Sequence, residues 1–136
     1  MAWLLACEEG RRFAGFASIA GALRRPTPHE DCTGGPVRML QIHGFADTQV
    51  PLEGRAIRDW HQGDVFESLA MQRATNQCRT RPSLIEFGNR FRCRIWSDCD
   101  SGHDVELCMH DGGHGLPRGW AEKTLEWFEK GPLTVN

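Results

Sequence analysis

The chain has 136 residues, a formal net charge of −2, 40% apolar residues and 25% charged residues. That length suits one domain or a large part of one, and the balance is globular rather than disordered. The near-zero charge gives no reason to expect a nucleic-acid or membrane partner, and no apolar run approaches the roughly 18 to 20 residues of a membrane span. Met1 to Leu5 lack the basic region and cleavage site of a signal peptide.

In chain order, Ala2 to Phe13 reads as a helix, with Trp3, Leu4, Cys7 and Arg11 along one stripe and Gly10 near its end. Nothing caps its start, which suggests a segment missing upstream. Phe13 to Ala20 is a short, nearly continuous apolar run, the pattern of a strand buried on both faces. Arg24 to Pro36, rich in proline and glycine, is a loop, and Val37 to His43 is a second strand stopped by Gly44. After a turn at Asp47 to Pro51, helical segments are expected around Arg55 to His61 and over Val65 to Gln77. Phe91 to Trp96 alternates Phe91, Cys93 and Ile95 against Arg92, Arg94 and Trp96, so it reads as a half-exposed strand with the second set on its wet side. Asp98 to Gly102 forms a turn, Asp104 to His110 the next strand, and Trp120 to Lys130 a final helix ended by Gly131-Pro132. Trp120, Trp127 and Phe128 are expected to be core contacts of that helix, and Arg90, Arg92 and Arg94 a solvated face.

This alternation predicts an α/β fold with a mainly parallel sheet of about three strands, plus an inserted hairpin strand and flanking helices. A complete doubly wound domain has more strands, so the first strand should present an unpaired apolar edge.

Two motifs carry chemistry. His43-Gly44-Phe45-Ala46-Asp47 follows a buried strand and puts a carboxylate where α/β sheets carry their functional loops. The same aspartate is equally a turn residue that bonds its own backbone. Asp111-Gly112-Gly113-His114-Gly115 follows the last strand, and its glycines free the backbone to project an imidazole into a cleft. His110 and His114 are four apart, but the glycines between them oppose the helix on which such a spacing binds metal. Taken together, an acid after one strand and a histidine after a later one reproduce the Ser…Asp…His chain order of α/β-hydrolases. Trp60 and His61, after the acid loop, are candidates to line a substrate cleft.

Met1 to Leu23, the block MLQIHGFADTQVP and the stretch VELCMHDGGHGLP resemble the polyhydroxybutyrate depolymerase-like and feruloyl-esterase-like α/β-hydrolases. The resemblance covers nearly the whole chain and corresponds to about the last half of such an enzyme, residues 1–136 being an incomplete domain. It implies Asp47 as triad acid, His114 as general base, an ester substrate (polymer or aromatic) and an extracellular or periplasmic location. No cofactor is implied, because a triad supplies base, orienter and nucleophile. The pattern departs from the family in three ways. The G-x-S-x-G-G elbow that precedes the first helix is absent, for Ser18, Ser68, Ser83, Ser97 and Ser101 are the only serines and none lies in such a motif. Leu116 stands where the family often has tryptophan, and a tryptophan usual before Cys78 is missing from Met71 to Cys78. Loss of the nucleophile costs on the order of 10⁶ in kcat, so the chain alone should be inactive, with the missing N-terminal half as its expected partner.

The six cysteines are Cys7, Cys32, Cys78, Cys93, Cys99 and Cys108. Their even count allows three disulfides in an oxidising compartment, with buried free thiols as the alternative. A hairpin turning about Asp100-Ser101 would set Cys93 opposite Cys108. The resemblance suggests Cys78 with Cys99, which leaves Cys7 and Cys32. Two rival readings remain: a non-catalytic remnant that folds with a partner, and a small redox or metal-binding module built on the cysteines and histidines.

Overall fold

A computed structural model describes residues 1–26 and 32–132. Helix α1 spans Ala2–Glu9 and buries Trp3, Ala6 and Cys7, an i, i+3, i+4 stripe. It passes into a single 3₁₀ turn at Gly10–Arg12. Here the backbone of Gly34 and Gly35 crosses the helix end: the Gly34 amide donates to the Cys7 carbonyl at 2.7 Å and the Arg11 amide to the Gly34 carbonyl at 2.8 Å. The expected helix therefore stops short of Phe13. Strand β1 is Phe16–Ile19, and β2 is Met39–Gly44, buried along its whole length. Part of the expected loop from Arg24 to Pro36, residues 27–31, lies outside the described residues.

The segment expected to be helical around Arg55 to His61 is a hairpin instead. Strand β3, Arg55–Ile57, pairs antiparallel with β4, Trp60–Gln62, and Ile57 closes on Trp60. The two-residue turn between them holds Arg58 at φ 52°, a left-handed conformation that interrupts any helix. A further bridge between Arg25 and His61 ties the hairpin to the body.

Helix α2, Val65–Thr75, starts on an Asp64 side chain that accepts from the Glu67 amide at 3.0 Å. Two strands follow, β5 at Leu84–Phe87 and β6 at Arg92–Trp96, then β7 at Val105–His110 and helix α3 at Trp120–Lys130. The main sheet runs β1-β2-β7-β6-β5. Its first three strands are parallel and its last two antiparallel. The fold is mixed α/β. Strand β5 was absent from the sequence reading; as an outer strand it is exposed on both faces and shows no alternation to read. Strand β1 forms the opposite edge, as expected, with one flank unpaired among the described residues.

The sheet separates two cores. On one side Trp3, Met39, Val65, Leu69, Val105 and Leu107 pack together under α1 and α2. On the other, Leu40, Ile42, Cys93, Cys108 and Trp127 pack under α3. Arg92 and Arg94 are exposed as expected, whereas Trp96 is buried rather than wet. Helix α2 lies over the end of β6 there: the Arg73 guanidinium sits 4.5 Å from the Trp96 ring centroid, and the indole N–H donates to the Thr80 carbonyl at 3.1 Å. On α3 only Trp127 is fully buried. Phe128, expected in the core, remains 41% exposed at its rim, edge-on to Trp127.

Three disulfides staple the body: Cys7–Cys32, Cys78–Cys99 and Cys93–Cys108. The last joins directly opposed residues of β6 and β7. The free-thiol alternative therefore falls.

Candidate active site

Strands β2 and β7 are parallel neighbours, so their C-terminal ends emerge side by side. Their ladder continues into the following loops: the Phe45 amide donates to the His110 carbonyl at 2.8 Å and the Ala46 amide to the Gly112 carbonyl at 3.1 Å. Gly44 lies against the carbonyls of Gly112 and Gly113, where a Cβ has no room. Gly44 is the glycine this approach demands; a Cβ at Gly113 would make only an ordinary contact with the Ala46 carbonyl, and one at Gly115 would meet nothing. None of Gly112, Gly113 and Gly115 is at positive φ, so the conformational freedom expected of them is not what is used.

The two loops bring Asp47 and His114, 67 residues apart in sequence, into a hydrogen bond of 2.9 Å between His114 Nδ1 and Asp47 Oδ2. The Asp47 side chain is completely buried. Its other oxygen, Oδ1, accepts the amides of Gln49 at 2.9 Å and Val50 at 2.8 Å. Asp47 thus bonds its own loop backbone through one oxygen, as the turn reading expects, and His114 through the other. Burial alone would push the carboxyl up; the Val50 amide, His114 and the Gln49 amide outweigh it and hold Asp47 below the ordinary carboxylate value. An ionised Asp47 only accepts, so His114 Nδ1 carries a proton, and in the neutral imidazole Nε2 is the atom with the lone pair. The His114 side chain is 35% exposed, which leaves that lone pair within reach of a ligand.

A second imidazole stands near the same carboxylate oxygen. His43 is fully buried at the end of β2, with Nε2 2.9 Å from the Val50 carbonyl and 3.5 Å from Asp47 Oδ2. Its Nδ1 is 2.9 Å from Gln41 Nε2, and Gln41 Oε1 accepts the Trp3 indole N–H at 2.8 Å. Burial pushes His43 below the ordinary histidine value, against the opposing pull of the Val50 carbonyl and the Asp47 charge. No role was assigned to His43 or Gln41 from sequence. The signal was there: two polar residues two apart on one face of a strand otherwise apolar on that face.

His110 is turned to the α3 side, with Nδ1 accepting the Gly112 amide at 3.1 Å, and burial lowers its basicity. Trp60 and His61 are exposed on the β3–β4 hairpin and hydrogen-bond to neither Asp47 nor His114. Trp60 borders a separate cleft of about 400 Å³ with Met1, Trp3, Leu4, Leu23 and Arg24. All six cysteines are in disulfides, including Cys93 and Cys108 beside Glu106. A metal site on these sulfurs would need them as thiolates. None of the five serines hydrogen-bonds to His114 among the described residues; Ser68 and Ser101 donate to the carbonyls of Asp64 and Asn76, and Ser83 bonds Ser97.

The chain is similar to a curated protein named "Putative esterase NocK" from Nocardia uniformis subsp. tsuyamanensis, with 29% identity over 137 aligned positions. The match covers 88% of this chain and 40% of that protein. The chain therefore spans well under half the length of this relative. No protein-family model matches it.

Proposed function

We propose that the chain is the acid-and-histidine portion of a serine-type carboxylic ester hydrolase with an α/β-hydrolase fold. The observation that carries this reading is the 2.9 Å bond between buried Asp47 and half-open His114 across the ends of adjacent parallel strands. In this role Asp47 fixes the imidazole tautomer and steadies the imidazolium, while His114 Nε2 takes the proton of an attacking serine and returns it to the leaving group. The serine, and the backbone amide after it that helps to form the oxyanion hole, belong to a G-x-S-x-G-G segment outside these residues. Esters of the polyhydroxyalkanoate or feruloyl type are the proposed substrates, supported by the sequence resemblance and by the esterase designation of the similar protein. Three disulfides in so short a chain favour an extracellular or periplasmic setting.

The purified chain is expected to hydrolyse p-nitrophenyl butyrate no faster than buffer. Turnover that His114→Ala abolishes would place a nucleophile within these residues and overturn that part of the reading. If the reading frame upstream of Met1 continues into G-x-S-x-G-G, the longer protein is expected to be an esterase. Asp47→Asn should then lower its kcat by roughly 10⁴. A longer protein with the elbow but full activity after Asp47→Asn contradicts the assignment. A stop codon directly upstream favours the second reading, a non-catalytic remnant, to which the lack of a G-x-S-x-G motif in the sequence also points.

A further inference from the structure

The indole N–H of Trp3 can only donate, and this decides the orientation of every group that follows it. It must meet the oxygen of the Gln41 amide, and does so at 2.8 Å. The Gln41 nitrogen is thereby turned toward the Gly21 carbonyl, at 2.9 Å, and toward His43 Nδ1, also at 2.9 Å. Facing an N–H donor, His43 Nδ1 must be an acceptor and carry no proton. Facing the Val50 carbonyl at 2.9 Å, His43 Nε2 must be a donor. Both ring nitrogens are therefore specified, and the specified state is the neutral imidazole.

Protonating His43 would set its Nδ1–H against the Gln41 N–H. Turning the Gln41 amide over to relieve that clash would oppose its nitrogen to the Trp3 indole and its oxygen to the Gly21 carbonyl. Each alternative leaves buried donors or acceptors unpaired. The charged groups near His43 are Asp47, with Oδ2 at 3.5 Å, and the ionisable rings of His114 and His110. Asp47 alone would favour a charged His43, and the amide chain opposes it.

We propose that Trp3, Gln41 and His43 are positioning residues that hold a neutral N–H donor against the acid loop, so that the Asp47 charge is reserved for His114. A charged His43 would set a cation on Oδ2, the oxygen that orients His114. A neutral one instead pins Val50, whose own amide holds the other carboxylate oxygen at 2.8 Å. The inference rests on the ester-hydrolase reading for its catalytic meaning, but its test reads His43 directly. Activity of a longer protein can fail while the His43 result stands, and the reverse.

The experiment is nitrogen-15 NMR of the histidine rings in the intact chain with its disulfides formed. His43 is expected as the neutral Nε2–H form at about pH 7, and to stay neutral to a lower pH than an ordinary histidine does. Gln41→Glu replaces the opposing N–H by an acceptor for Nδ1–H. It should convert His43 to the imidazolium at about pH 7 and weaken or abolish the His114 Nδ1–H signal. Gln41→Leu, which only removes the opposing donor, should raise the pH at which His43 titrates. A wild-type His43 that is charged, or in the Nδ1–H form, at neutral pH overturns the proposal even if neither variant folds. So does a folded Gln41→Glu chain with His43 neutral and the His114 signal unchanged.

Discussion

Both faces of the central sheet bury polar groups, and the two sets are wired differently. Under α3, opposite charges meet: Arg38 pairs with Asp104 at 2.6 Å and stacks 4.1 Å from the Trp127 ring centroid, and Lys123 pairs with Glu106 at 2.7 Å. Under α1, a directional series of hydrogen bonds runs from Trp3 through Gln41 and His43 to the Val50 carbonyl, beside Asp47. The α3 pairs end within the core and tie helix to sheet, whereas the α1 series ends at the loop that holds His114. A buried ion pair needs only its counter-charge; a hydrogen-bonded series fixes which atoms carry protons. That is the property a general base requires of its surroundings.

Substitutions should separate the two. The largest effect on folding is expected from Asp104→Ala, which leaves Arg38 buried without its partner and should cost about 3–5 kcal/mol by denaturant unfolding. If the faces are independent, the His43 ring signals stay where they are in whatever fraction remains folded. Replacing Cys93 and Cys108 together by alanine opens a loop of 15 residues and should cost about 3 kcal/mol, again without moving His43. Trp3→Phe keeps the packing but leaves Gln41 Oε1 without its donor, so about 1–3 kcal/mol is expected, now with a change at His43. A silent His43 in that variant would break the comparison.

Acidity provides the mildest probe, and the two faces respond with opposite sign. His43 is held below its ordinary value, so its contribution is fully present above about pH 6.5 and falls as the pH drops toward its folded value. Asp47 is also lowered, so its contribution is present above about pH 4 and is lost as the pH falls through the folded value. Glu106 is raised by burial despite Lys123, so it stabilises the fold at low pH and loses that advantage as the pH rises through its folded value. Glu106→Gln should therefore steepen the loss of stability on acidification, while Asp47→Asn should flatten it below about pH 4.

The buried strands and the site loops were legible because one physical demand dominated each. Val37 to His43 could only be a core strand, Trp120 to Lys130 carried its helical stripe and its glycine stop, and the glycines after His43 and around His114 marked loops at the ends of two strands. Gly44 was read only as the stop of its strand, whereas steric closeness to Gly112 and Gly113 selects it; no positive φ occurs at Gly112, Gly113 or Gly115. The β3–β4 hairpin was missed because its turn uses Arg58-Asp59 rather than a glycine. Strand β5 was missed because an outer strand exposed on both faces shows no alternation. Trp96 was misplaced because one helix crossing decides its burial, and that crossing is not written in the local period. The Trp3–Gln41–His43 series joins residues 38 positions apart, and only the parallel pairing of β1 and β2 beneath α1 reveals it.

The central claim is that Asp47 fixes His114 as a base with Nε2 free, and the tautomer of His114 tests it most directly. Because the Gln49 and Val50 amides demand an oxygen at Oδ1, Asp47→Asn must turn its NH₂ toward His114 Nδ1. Nitrogen-15 NMR of neutral His114 should therefore show the Nδ1–H form in the wild-type chain and the Nε2–H form after Asp47→Asn. A wild-type His114 in the Nε2–H form, or a tautomer that the substitution leaves unmoved, would contradict the account.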